Sequence, residues 1–102
     1  MIRLLVHPQA AVDIEDAIAW YEQQRDGLGA VFLDELNRSF DLIARLPEQY
    51  RCIERNTRRA LLRRFPYSVY FTVTDSQEAI VWAVLHQHRH PDTLRDRARP
   101  TR

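Results

Sequence analysis

The sequence predicts an α+β fold: an N-terminal strand, an antiparallel helix hairpin, then a three-stranded antiparallel meander, with the helices packed on one face of the sheet. Three observations carry that expectation. Apolar residues recur at helical spacing between positions 11 and 43, interrupted only around Gly27 and Gly29. After Pro47 the period changes to runs dense in β-branched and aromatic residues. The links between successive segments are short, so sequence neighbours become spatial neighbours.

Residues 2–6 are a short apolar run bounded by His7-Pro8, and they read as the first strand. Pro8 suits the first turn of a helix, where its missing N–H costs nothing. Ala11, Ile14, Ala17, Ile18 and Tyr21 then form an apolar helical stripe, and Asp13, Glu15, Asp16 and Glu22 fall mostly opposite it. Asp26-Gly27-Leu28-Gly29 ends this helix, with Gly27 placed as a C-terminal cap. Phe32, Leu33, Leu36, Phe40 and Ile43 mark a second helix that stops before Pro47. So short a link makes the two helices antiparallel neighbours, with mostly acidic outer faces. Residues 58–65 have β character but are rich in charge, and residues 67–74 read plainly as a strand. After a turn at 75–78, residues 79–86 are nearly all apolar, as expected of a central strand covered on both faces. Residues 89–102 are polar and contain Pro91 and Pro100, which fits a loop, a short helix or a flexible tail. One domain spans residues 1–102, and the tail from about residue 91 is the candidate for flexibility.

The chain has 102 residues, 45% of them hydrophobic, which suffices for one core without staples. Its one cysteine, Cys52, has no disulfide partner and belongs to no metal-ligand pair; small-residue packing is its expected role. The N-terminus lacks the apolar stretch and cleavage site of a signal peptide. No run approaches the ~18 apolar residues of a membrane span, so a cytoplasmic protein with no membrane partner is expected. All fifteen basic residues are Arg, and they are unevenly placed. Residues 1–50 carry four Arg and nine acids, a formal −5, whereas residues 51–102 carry eleven Arg and five acids, a formal +6. Either the second half meets an anionic partner, or the two halves neutralise each other across the fold.

The densest cluster is Arg51, Arg55, Arg58, Arg59, Arg63 and Arg64. The guanidinium is a permanently charged, planar donor fork suited to phosphate and carboxylate. On a strand, Arg59 and Arg63 would share a face with Leu61, and Arg58 and Arg64 would share the other with Ala60 and Leu62. One pair would then line an open groove; the alternative is an edge strand protected by charge. His86, His88 and His90 alternate, but Pro91 and the polar context argue that the strand ends before they can converge on a metal. No nucleophile motif surrounds Ser39, Ser68 or Ser76, and no glycine loop is placed to cradle phosphate. Neither a metal, another cofactor nor a small-molecule ligand is expected. Tyr21 and Trp82 read as core residues, whereas Trp20 flanks the stripe, at the rim or against a partner's helix.

An ordered set of residues also carries a resemblance. His7-Pro8, Ala10, Asp13-Ile14, Ala17, Trp20-Tyr21-Glu22, Gly27-Leu28-Gly29 and Phe32-Leu33 resemble the opening of the RelE/ParE toxin superfamily, its ParE-like plasmid stabilisation branch in particular. The second half agrees, with Arg58-Arg59, Leu61, Arg63-Arg64-Phe65-Pro66-Tyr67-Ser68-Val69-Tyr70-Phe71, then Ala83-Val84-Leu85-His86, Arg89 and Pro91. The resemblance implies a bacterial toxin of a type II toxin–antitoxin system, neutralised by a cognate antitoxin. It implies one of two targets: DNA gyrase, inhibited by binding without chemistry, or the ribosome and its mRNA, cut by an endonuclease. Target binding would fall to Arg58, Arg59, Arg63, Arg64 and Arg89, and antitoxin binding to Trp20, Arg59 and Arg63. An endonuclease would use His86 as general base and Arg89 against charge developing at the phosphate. The chain has no Lys, and Leu94 stands where the related branch usually has Trp. Arg hardly deprotonates and is a poor general acid, so the gyrase-binding reading leads and the enzyme reading follows. A family member that pairs with its antitoxin without toxicity is the third reading.

Overall fold

The computed structural model of the chain describes residues 1–88; Arg89 and the expected tail lie outside the described residues. The elements are β1 (Arg3–Val6), α1 (Pro8–Gln24), α2 (Leu28–Arg45), a single 3-10 turn (Pro47–Gln49), β2 (Cys52–Glu54), β3 (Thr57–Leu61), β4 (Tyr67–Val73) and β5 (Glu78–His86). They form a five-stranded sheet in the order β1-β5-β4-β3-β2. Strands β2 to β5 are an antiparallel meander, and β1 joins parallel to β5. The α+β architecture with β5 in a central place is the predicted one.

Two strand expectations need correction. The segment 58–65 is not one strand: β3 begins at Thr57 and ends at Leu61, leaving Arg63 and Arg64 in a bend before β4. The short strand β2 was not foreseen, and it carries no alternation to reveal it because all three of its residues are exposed. A two-residue turn at Arg55-Asn56, with Arg55 at φ 52, folds it onto β3. Cys52, expected to pack inside, is exposed on this outermost strand.

Helix α1 starts where the sequence indicates. His7 Nδ1 accepts the Gln9 N–H at 3.1 Å, and Pro8 occupies the first turn. Gly27 takes φ +87, but it opens α2 as the N-cap; α1 is closed by Arg25, not by Gly27. Gly29 has a different role. A Cβ there would stand 2.9 Å from the Ile18 carbonyl oxygen, so only glycine lets the helices touch at this point.

Between the hairpin and the sheet lies an aromatic core. Tyr21 stacks on Phe32 at 5.4 Å, and Phe65 meets both edge-on at 4.8 and 5.2 Å. Leu36, Ile43, Val69, Phe71, Val81 and Val84 complete it. Across the sheet, Ala83 and Leu85 are buried with Tyr70 and Trp82 against them. Strand β5 is thus covered on both faces. Trp82 belongs to the face away from the helices, not to the main core: it alternates with helix-side Val81, and the register shift opposite Tyr70 and Phe71 leaves Ala83 on that face beside it. Its indole N–H donates to Thr72 Oγ1 at 2.9 Å. Among the described residues, no helix is long and apolar enough to cross a membrane.

Candidate functional site

The arginines of the second half are distributed by strand register. Arg58 pairs with Phe71, a helix-side core residue, so its side chain turns toward the hairpin, where Nη1 donates to the Tyr50 carbonyl at 2.6 Å. Arg59 pairs with Tyr70 and takes the opposite face, beside the Ala83 and Leu85 cluster. Leu61, two residues on, shares that face and is 55% exposed.

Arg63 and Arg64 are presented differently. The bend after β3 leaves two consecutive backbone N–H groups outside the sheet ladder, and both donate to Glu35 Oε2 of α2, Arg64 at 2.8 Å. Glu35 is only 6% exposed, and among the described residues its Oε1 has no hydrogen-bond partner. A carboxylate from a helix therefore fixes the bend and holds both arginine side chains outward, where both residues are exposed. The expected grouping of Arg63 with Arg59, and of Arg64 with Arg58, does not hold, because Arg63 and Arg64 lie beyond the strand's end. Around the bend is a cavity of about 410 Å³, lined by Glu35, Arg38, Leu42, Tyr50 and Leu61 as well as the two arginines.

Sequence reasoning missed Glu35. The signal was present: Glu35 stands three residues after Phe32 and one before Leu36, within the apolar stripe of α2. The same signal marks Asp13, three residues after the buried Ala10. Strand β5 outruns β1, whose last partner is Val81, and Asp13 Oδ2 accepts the Val84 N–H left on that edge at 3.0 Å. Glu22 bridges the interhelical turn, its two oxygens accepting the N–H groups of Gly27 at 2.9 Å and Gly29 at 3.0 Å. These bonds hold its carboxyl below the usual range. Asp13, assigned to an outer acidic face, turns toward the sheet to cap backbone, whereas Glu22 stays exposed as expected while it caps the turn.

His86 closes β5 opposite Tyr67 on the helix side of the sheet, and its Nδ1 accepts the His88 N–H at 3.2 Å. It borders a second cavity, of about 520 Å³, with Asp13, Asp16, Trp20 and Tyr21. Trp20 is 55% exposed and meets Tyr21 edge-on, whereas Tyr21 is buried, which raises its hydroxyl's pKa, with Tyr67 adding to the effect. The structure thus brings Arg63 and Arg64 together around Glu35, and sets Arg59 and His86 on opposite faces of the sheet. Among the described residues, no group of three or more His, Cys, Asp or Glu is placed to hold a metal ion.

A helix hairpin on one face of a mixed sheet, with arginines around its outer strands, defines a class of small α+β proteins. One solved chain of this shape comes from the chromosomal ParDE toxin–antitoxin system of P. aeruginosa. The two share 17% identity over 84% of this chain and 96% of that one, with a TM-score of 0.74, a likeness that shows the fold. Residues 4–91 match the family described as ParE toxin of type II toxin-antitoxin system, parDE, and the chain belongs to that family. No curated protein matches it.

Proposed function

We propose that this ParE-family toxin acts in the cytoplasm by binding DNA gyrase, without chemistry of its own, and that a cognate antitoxin neutralises it. The observation that carries the reading is the placement of arginine. Arg59, Arg63 and Arg64 are exposed around β3 and the following bend, and none is ion-paired among the described residues. Such a surface attracts phosphate or carboxylate at long range and seats it by bidentate hydrogen bonds. Arg58 is half-buried on the Tyr50 carbonyl and supports the strand rather than the contact. Arg89, outside the described residues, extends the proposed target surface, and Trp20, Arg59 and Arg63 are the proposed antitoxin contacts. The opposed faces of Arg59 and His86 favour binding over phosphodiester cleavage, because a catalytic set must converge within hydrogen-bond reach of one phosphate.

The test is DNA supercoiling by gyrase in the presence of the purified, antitoxin-free chain. Lost supercoiling with accumulated cleaved DNA is the expected result. The double variant Arg59→Glu, Arg63→Glu should fold normally and relieve both this inhibition and growth arrest. Growth arrest by folded protein that leaves gyrase untouched would transfer the assignment to the ribosome and mRNA. Protein harmless to both cells and gyrase would leave only antitoxin pairing.

A further inference from the structure

We infer that the cavity between α1 and the end of β5 is a binding site for a guanidinium group carried on a short apolar stem. Helix α1 supplies one side of it. Asp13, Asp16, Ala17 and Trp20 stand three and four residues apart, so they share one helical face, and all four line the cavity. Ala17, 3% exposed, is too short to fill the space beside the two carboxylates and the indole. The sheet supplies the other side through Tyr67 and His86, and buried Tyr21 joins the two. Trp20, Tyr21, Tyr67 and His86 form a run of rings, each steeply inclined to the next: 88° at 5.1 Å, 61° at 6.0 Å and 77° at 5.4 Å. Rings so inclined do not stack flat, and together they wall a space of about 520 Å³.

This lining selects a cation of one kind. Aromatic faces carry negative potential, and Asp13 and Asp16 add full negative charge. Among the described residues that line the space there is no arginine, although the chain has fifteen. Phosphates and carboxylates are therefore repelled. A metal ion lacks ligands, since no group of three His, Cys, Asp or Glu converges among the described residues. An ammonium is compact and strongly hydrated, whereas guanidinium is flat, weakly hydrated, stacks on aromatic faces and offers a carboxylate two parallel donors. The space is larger than that group alone, so an alkyl stem lying against Ala17 and Trp20 completes the fit. A cavity of this size, aromatic with a few polar groups, has the character of a small-ligand site. It stands apart from Arg59, Arg63 and Arg64, and the inference does not depend on which target the toxin binds.

The experiment follows backbone amide signals of the full chain by NMR at low salt while butylguanidinium, or its uncharged isostere butylurea, is added. Saturable shifts are expected at Asp16, Trp20, Val84 and His86, with butylguanidinium binding about tenfold tighter than butylurea. Butylammonium should bind about threefold more weakly than butylguanidinium. Trp20→Ala should weaken butylguanidinium about fivefold and Asp16→Asn about threefold. Both residues are exposed on α1, so both variants are expected to fold. Arginine blocked at both backbone ends separates the two sources of this chemistry. Its binding at these amides would assign the site to protein arginines, and its exclusion to free alkylguanidines. Equal affinity for butylguanidinium and butylurea would overturn the inference. So would affinity unchanged in both variants, or shifts confined to residues outside this cavity.

Discussion

Each helix frames a cavity, and these two cavities are built alike but charged oppositely. At α1, Asp13 reaches over to the sheet, caps Val84 and lines a space shared with Asp16, Trp20 and His86. At α2, Glu35 reaches over, caps Arg63 and Arg64 and lines a space rimmed by three arginines. In both, a carboxylate on a helix satisfies backbone donors that the sheet leaves over. The difference is depth and surroundings. Asp13 is half-buried and caps the Val84 N–H, whereas Glu35 is buried, caps two N–H groups and, among the described residues, keeps one oxygen without a hydrogen-bond partner. The same device is thus a local staple at one helix, and at the other it also organises the arginine surface.

The comparison can be broken most severely at Glu35. Glu35→Ala should destabilise the fold by about 2–4 kcal/mol, because it leaves two backbone donors unpaired beside a new void. Denaturant unfolding measures this, and the variant's gyrase inhibition should fall with the loosened bend. A cost equal to that of Asp13→Ala would remove the distinction between the two sites. Gly29→Ala should cost about 1–3 kcal/mol, since its Cβ meets the Ile18 backbone, and thermal melts with a lowered midpoint would show it. Asp13→Ala should cost about 1–2 kcal/mol for loss of the Val84 cap, and amide exchange at Val84 should speed up accordingly.

The smallest effect concerns pH. The Glu22 carboxyl sits below its ordinary value of 4.5 because Gly27 and Gly29 donate to it. A depressed folded-state value contributes stability above the unfolded value, and that contribution is lost as pH falls from about 4.5 through the lowered one. Stability measured from neutral pH into this acid range should fall more steeply in the parent chain than in Glu22→Gln, the two curves converging at the acid end. Parallel curves would show that the interhelical turn draws nothing from this charge.

Much of the fold was legible in the residues. Pro8 and the two glycines punctuate the helices, and the switch of apolar period after Pro47 separates hairpin from meander. Less of the site was legible. Arg59 and Arg63 are four residues apart, which on a continuous strand means one face, and no residue between them announces that β3 ends at Leu61. Asp13 reads as an outer-face acid only while acidity is equated with solvent, and Glu35 goes unremarked in the second helix. Their positions within the apolar stripes were the better guide.

The sequence by itself determined the order of elements, the apolar stripes that make the helices lie down on the sheet, and the segregation of arginine to the second half. These follow from local periodicity, turn chemistry and composition, which act over a few residues. Only the tertiary structure decided that β1 joins β5 in parallel, that β2 exists, and that two helix carboxylates turn inward. Those outcomes depend on where strands of unequal length end beside each other. The N–H groups exposed at such ends must find acceptors, and the ones within reach lie 29 residues away at Arg64 and 71 at Val84.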